Sequence, residues 1–169
     1  PQNALLKHDL IIIPSTFLPA YEPTSERVFE DHFVCVVAAG HPLIEGGAPT
    51  LEALATAPLV TSSFGLNQQV GLALGGVELV KEGRTFRGAS MEVSSILAVP
   101  DIIRRGVHWS LMPRRLAEIA CRDDDLRIFD APFPTETFTD AMYWHASRSH
   151  DPALLWLRGI VRSVASNTS

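Results

Sequence analysis

The stretch Val28-Phe29-Glu30-Asp31-His32-Phe33-Val34-Cys35-Val36-Val37-Ala38-Ala39 constrains this chain more than any other. Its first half roughly alternates polar and apolar residues, and its second half is apolar without a break. Alternation marks a strand with one wet face, whereas an unbroken apolar run marks a strand covered on both faces. One long strand that passes from a half-exposed to a fully buried setting satisfies both halves. Asp9-Leu10-Ile11-Ile12-Ile13, closed by Pro14, is a second apolar run and reads as a strand buried on both faces, of the kind found in parallel sheets.

The rest of the chain alternates strand and helix signals. Residues 14–26 are a Pro-, Ser- and Thr-rich loop. Gly40-His41-Pro42-Leu43 breaks the long strand, and 44–49 is a Gly/Pro loop. Thr50 caps a short helix over Leu51–Ala55, with Glu52 in its first turn. Pro58–Ser62 reads as a strand and leads through Ser63-Phe64-Gly65 into a weakly helical run over 66–74. Residues 84–91 read as a third strand. Val93–Arg105 has helical spacing that Pro100 interrupts, which predicts two short helices or a kink, stopped by Gly106. Val107–Met112 is a fourth strand, and Pro113 starts a helix through Ala120. Asp123-Asp124-Asp125 is a solvated turn, Leu126–Phe129 a fifth strand and Thr137–Ser147 a long one. Asp151-Pro152 is an N-cap followed by Pro at the first helical position. Leu154, Leu157, Ile160, Val161 and Val164 mark one face of the terminal helix, with Arg158 and Arg162 on another. Strands alternating with helices define an α/β chain with mainly parallel sheets.

Composition narrows the function. With 169 residues the chain makes one ordinary domain or two small lobes. A 46% hydrophobic and 20% charged composition supports a real core. The net charge is −5, and the Lys and Arg are scattered apart from Arg104-Arg105 and Arg114-Arg115. Phosphate contacts need a concentrated basic face, so this chain is not expected to bind nucleic acid itself. No segment has the roughly 20 apolar residues that span a bilayer. The chain opens on Pro1 and runs almost at once into a strand, as an excised piece of a longer protein would. Cys35 and Cys121 stand among apolar neighbours and read as two buried free thiols in a reducing compartment, with a disulfide as the unsupported alternative.

Catalytic and metal motifs are missing from the sequence. There is no G-x-S-x-G, P-loop, G-x-G-x-x-G or H-E-x-x-H pattern. His145 and His150 have poor metal-ligand spacing, His8-Asp9 is isolated, and each histidine reads as a hydrogen-bonded structural or pocket residue. No enzyme, metal or cofactor is therefore expected. One chemical signal remains. Ser62-Ser63-Phe64-Gly65 ends a strand in hydroxyls and Gly before a helix, and Ser94-Ser95 opens a second helix after the third strand. Each is either a plain N-cap or a place where hydroxyls and backbone N–H groups receive an anion. Two such ends in one lobe favour a ligand cleft.

Four passages resemble the effector-binding domain of LysR-type transcriptional regulators. They are Asp9–Ile12; Val28–Val37 with the His41-Pro42-Leu43 turn; Thr50–Leu54; and Trp144-His145-Ala146 with Asp151-Pro152 and Trp156-Leu157-Arg158. The ending and the Glu30-Asp31-x-x-Val34-Cys35 phrasing are closest to the branch of nodulation activators and activators of aromatic-compound degradation. The resemblance implies a fold like type 2 periplasmic binding proteins, with two α/β lobes joined by crossover strands and a small-molecule effector in the cleft. It implies lobe II over 33–126 and a partial lobe I from 1–32 with 127–169. The winged helix-turn-helix, the linker helix and the first part of lobe I are absent from this chain.

The implied effector-binding residues are Ser62, Ser63, Phe64 and Asn67 at one helix start, Ser94, Ser95 and Ile96 at the next, and His145 from lobe I. Phe64 and Ile96 would wall an aromatic ring. The implied effector is an aromatic acid, a phenol or a flavonoid-like inducer. The other implied partners are a homodimer or tetramer and operator DNA held by the absent N-terminal domain, in the cytoplasm. The alternative on the same fold is a solute-binding receptor of a transport system; an enzyme on a related scaffold lacks a paired nucleophile and base.

Overall fold

A computed structural model of the chain describes residues 8–15, 24–62, 91–135 and 137–166. The described chain forms strands β1 (Ile11–Pro14), β2 (Thr24–Ala38), β3 (Val60–Ser62), β4 (Met91–Val93), β5 (Ser110–Pro113), β6 (Leu126–Phe129) and β7 (Thr137–Trp144). The helices are α1 (Leu51–Thr56), α2 (Val99–Arg105), α3 (Arg114–Ala120) and α4 (Pro152–Ser166). Short 3-10 turns cover Pro42–Ile44, Ile96–Ala98 and Ala146–Arg148. Two compact units divide the chain: residues 1–31 with 137–169, and residues 32–136.

β2 is the long strand that its composition predicts. Val34, Cys35, Val36 and Val37 are wholly buried, whereas Ser25, Arg27 and Glu30 in its first half are exposed. Its buried half has neighbours on both edges. Phe33–Val36 pairs antiparallel with β5, and Cys35–Ala38 pairs antiparallel with β6. The sheet runs β1-β7-β2-β5, with β6 also against β2. β3 and β4 form a separate parallel pair, Val60 opposite Met91 and Ser62 opposite Val93. The residue before β5, Trp109, also bridges parallel to Leu59. Among the described residues, parallel pairing is seen between β3 and β4 and at the Leu59–Trp109 bridge, while the ladders of β2 with β5 and β6 and of β1 with β7 are antiparallel. Parallel pairing of this kind is a feature of βαβ units.

In the 32–136 unit, Val34 and Val36 from β2, Val60 from β3, Met112 from β5, Leu126 from β6, and Val99, Ile103 and Ala117 from α2 and α3 make one buried cluster. Covering a Val or Ile side chain in this way contributes about 1.5–3 kcal/mol. Residues 127–136 group with this unit, whereas the sequence placed the return to the first lobe at 126/127. β6 is the reason, because it pairs with the apolar half of β2. In the other unit, Met142 and Trp144 of β7 and Leu154 of α4 form the buried centre, with Leu10, Val28, Leu157 and Val161 against it.

Local signals set the element ends. Thr50 Oγ1 accepts from the Ala53 N–H at 3.2 Å and caps α1. Two short helical pieces form, as the interrupted spacing predicts: a 3-10 turn ends at Ala98 and α2 begins at Val99 with Pro100 in its first turn, and Gly106 follows α2. Asp151 Oδ1 accepts from the N–H groups of Ala153 (2.9 Å) and Leu154 (3.2 Å) and caps α4, with Pro152 first in the helix.

Four expectations are corrected. β1 is not buried on both faces: it pairs antiparallel with β7, and Ile12 is 46% exposed. β2 begins at Thr24, inside the segment read as loop. β7 stops at Trp144 and does not continue to Ser147, because the His145 ring turns the chain, its Nδ1 accepting from the Ser147 N–H at 3.3 Å. The 123–125 turn is more than solvated. Asp124 adopts φ 58°, and Asp125 takes a 2.6 Å hydrogen bond from Arg104 while its carbonyl accepts from the Ala39 N–H.

Candidate functional site

The site starts from the parallel pair β3–β4. In a parallel pair both strands deliver their carboxyl ends to one edge, where ligands of α/β proteins bind. Ser62 is the last residue of β3 and lies opposite Val93, the last of β4; Ser94 and Ser95 follow directly. The register therefore brings Ser62, Ser94, Ser95 and Ile96 to one edge. Ser94 and Ser95 are exposed. Ser95 Oγ accepts from the Leu97 N–H at 3.3 Å and caps the 3-10 turn that leads into α2. Ile96 is half-buried against the main cluster.

Ser62 differs from its neighbours. It is 3% exposed, and its Oγ has no hydrogen-bond partner among the described residues. A buried hydroxyl without a partner costs about 1–3 kcal/mol, so such atoms are rare outside functional or strained sites. Strand alternation gives Ser62 the face of Val60, which packs in the core beside Val99 and Ile103. Ser63, Phe64 and Asn67 lie outside the described residues. His145 belongs to the other unit. It is exposed, and its Nδ1 lies 2.7 Å from Ser147 Oγ, so its contact is the local turn.

Other buried polar groups in this unit hold its segments together. Ser110 is buried in β5 and its hydroxyl donates to the Val60 carbonyl at 2.8 Å, tying β5 to β3. Trp109 Nε1 donates to the Ala57 carbonyl at 3.3 Å. His41 is buried, and its Nδ1 accepts from the Leu43 N–H at 3.0 Å. Its Nε2 is 2.7 Å from the Val107 carbonyl, which requires the Nε2–H form. The available signal is a polar residue inside an apolar run, which marks burial without naming the partner.

Both cysteines are free, as the sequence indicates. Burial, with the nearby Asp130 charge, pushes the Cys35 thiol up to about 12, and burial raises Cys121 as well. Cys35 is buried as expected, whereas Cys121 is only half-buried. Among the described residues no group of three or more His, Cys, Asp or Glu is placed to hold a metal ion, and no helix is long and apolar enough to cross a membrane.

In the first unit, Glu26 accepts hydrogen bonds from both Arg158 (3.1 Å) and Arg162, and the Arg158 guanidinium lies 3.8 Å from the Trp144 ring centre. The Arg162 hydrogen bond first, then Arg158, holds the Glu26 carboxyl below its ordinary range against the opposing effect of burial. The spacing of the two arginines on one helix face is the sequence trace of this cluster.

Solved structures share this fold. A putative transcriptional regulator from Vibrio parahaemolyticus matches with a TM-score of 0.78 at 24% identity over 99% of this chain and 76% of that one. The regulatory domain of MexT, a transcriptional activator of Pseudomonas aeruginosa, matches with a TM-score of 0.74 at 24% identity over 95% and 77%. The fold is therefore that of the regulatory domains of LysR-type regulators, which resemble periplasmic binding proteins. The model of the LysR substrate binding domain matches residues 3–166, and the chain belongs to that family, as the effector-binding part of a LysR-type regulator. Among curated relatives, Nodulation protein D 1 of Rhizobium tropici is 29% identical over 158 residues, covering 94% of this chain and 50% of that protein. Nodulation protein D 3 of Mesorhizobium japonicum is 26% identical over 165 residues, covering 94% and 51%. The chain spans about half the length of these relatives. None of these four proteins is a transport receptor, and the solute-receptor alternative has no support from them.

Proposed function

We propose that this chain senses a small aromatic acid, phenol or flavonoid-like compound for a DNA-binding transcription activator. It works without enzymatic chemistry, in the cytoplasm and in a homo-oligomer whose operator contacts lie elsewhere in the longer protein. The observation that supports this reading is the shared carboxyl edge of β3 and β4, where Ser62 lies opposite Val93 and Ser94 and Ser95 follow in sequence. The edge offers hydroxyls for an oxyanion or phenol, and the half-buried Ile96 offers an apolar wall. Ser63, Phe64 and Asn67, which follow Ser62 in sequence, extend that set in this reading. The nodulation relatives favour the aromatic class. An effector that favours one arrangement of the two lobes over the other shifts their equilibrium by its difference in affinity, which is the signal passed to DNA.

Calorimetric titration of a panel of aromatic carboxylates and phenols into the full-length regulator tests this. At least one compound should bind with a negative heat-capacity change. Ser63→Ala should weaken that binding by about 1–3 kcal/mol while leaving folding intact. Equal affinity for both proteins would reduce Ser63 to a helix cap; no binding by any member of the panel would overturn the effector class.

A further inference from the structure

Strand β5 changes partners along its length. Its lead runs parallel to β3: the Trp109 N–H donates to the Pro58 carbonyl at 3.0 Å, and the Val60 N–H donates to the Trp109 carbonyl at 2.9 Å. That contact is an isolated bridge between Leu59 and Trp109. From Ser110 onward β5 runs antiparallel to β2, with Ser110 opposite Val36 and Leu111 opposite Cys35. Had the parallel pairing continued, the next bond would run from the Leu111 N–H to the Val60 carbonyl. At the point where β5 leaves β3, the Ser110 hydroxyl takes that place and donates to the Val60 carbonyl at 2.8 Å. Its other contact, to the Leu111 carbonyl, is 3.5 Å, and the one hydroxyl proton serves the nearer oxygen. Ser110 is 2% exposed and interrupts the apolar run Trp109–Met112, where an unpaired hydroxyl would be costly.

We propose that Ser110 is a positioning residue for the effector edge. Its hydroxyl replaces the ladder bond that Val60 loses where β5 turns from β3 to β2, and so fixes the end of β3 that carries Ser62. Ser110 does not touch the effector in this role. Val60 is held on one side through Ser110 and pairs on the other with Met91 of β4. Ser62 is the last rung of the same β3–β4 pair, opposite Val93. Strands that part at their carboxyl ends open a sheet where α/β proteins take ligands, so the bond that closes the β3–β5 contact sets where that opening starts. The Ser62 hydroxyl is buried and has no partner among the described residues, so its strand alone holds it in place. A continued backbone ladder would carry β5 along β3, and an alanine at 110 would leave the end of β3 held by β4 alone. This rests on the proposed effector edge and adds to it the residue that holds it; the hold on β3 is independent of which compound binds.

Three variants of the full-length regulator separate positioning from core filling. Ser110→Ala removes the donor, Ser110→Thr keeps it, and Ala117→Gly weakens the same unit from α3. Amide exchange at Val60, taken as a ratio to exchange at Ile103 of α2, reads local opening of β3 free of any overall loss of stability. The ratio should rise about tenfold in Ser110→Ala and stay within about twofold of the wild type in the other two. Titrated with 4-hydroxybenzoate, which carries both a phenol and a carboxylate, Ser110→Ala should bind roughly fivefold more weakly, and the other two within about twofold of the wild type. An unchanged ratio in Ser110→Ala, an equal rise in Ala117→Gly, or no rescue by Ser110→Thr overturns the proposal and leaves Ser110 a satisfied core hydroxyl. A raised ratio with unchanged binding overturns its link to the effector edge. A wild type that does not bind 4-hydroxybenzoate, with the ratio still raised in Ser110→Ala alone, counts against the effector class and supports the hold of Ser110 on β3.

Discussion

The two units solve the same packing problem to different degrees. In the 32–136 unit, strands β2, β3, β5 and β6 and helices α2 and α3 contribute eight buried side chains to one cluster, and the four residues Val34–Val37 are closed off on both faces. In the unit formed by 1–31 and 137–169, three buried residues make the centre, Leu157 and Val161 pack half-buried against it, and Leu155, Trp156, Ile160 and Val164 of α4 are exposed. The second unit compensates with polar ties at its borders. Glu26 holds two arginines, Arg158 lies over Trp144, and Arg148 bridges Asp9 and Asp151. Burial of apolar area is insensitive to pH, whereas carboxylate–guanidinium contacts depend on pH and salt. The contrast therefore predicts one unit governed by packing and one by charge.

The largest test of this contrast is a pair of truncations. Ile103→Ala removes a fully buried side chain from the larger cluster and should cost about 3–4 kcal/mol; Leu157→Ala, half-buried at the edge of the smaller one, should cost about 1–2 kcal/mol. Hydrogen exchange read separately over α2 and α4 would show whether each loss stays in its own unit. Equal losses would mean that the smaller cluster is packed as tightly as the larger.

A smaller effect distinguishes the units by pH. The Glu26 carboxyl lies below its ordinary range in the folded chain, so its contribution is present above the ordinary carboxylate pKa and is lost as pH falls through the lowered value. Asp151, lowered chiefly by Arg148 and then by the α4 N–H groups, acts in the same acid window and the same unit. Glu26→Gln should cost about 1–2 kcal/mol at pH 7, by loss of charge-assisted hydrogen bonds, and should flatten the acid loss of stability in denaturant melts. Wild-type steepness in the variant would remove Glu26 from the account.

The smallest expected effect has the opposite sign. Ser62→Ala deletes a buried hydroxyl that has no partner, and should raise the stability of the 32–136 unit by up to about 1 kcal/mol without ligand. A destabilised variant would show that the hydroxyl has a partner after all, such as a bound water.

Local rules made much of the fold legible before any coordinates. The caps at Thr50 and Asp151, Pro100 in the first turn of α2, β6 at Leu126–Phe129 and the passage of β2 from exposed to buried all follow from side chains acting within a few residues of themselves. The resemblance to LysR-type effector domains rests on the same kind of short passages. What the sequence left undecided was pairing across distance. The continuous aliphatic run of β1 looks buried on both sides, and only its neighbours decide that Ile12 is exposed. Ser62 and Ser110 are both serines in apolar strands. Ser110 finds the Val60 carbonyl at 2.8 Å and Ser62 finds no partner among the described residues, a difference set by strand register and by no property of serine. Glu26 meets Arg158 across 132 positions of sequence. The sequence by itself determined which segments become strands and helices and which of their faces want cover, because propensity, capping and hydrophobic period act locally. Tertiary structure alone decided which segments provide that cover and which polar atoms end with a partner, because those depend on three-dimensional register between segments far apart in the chain.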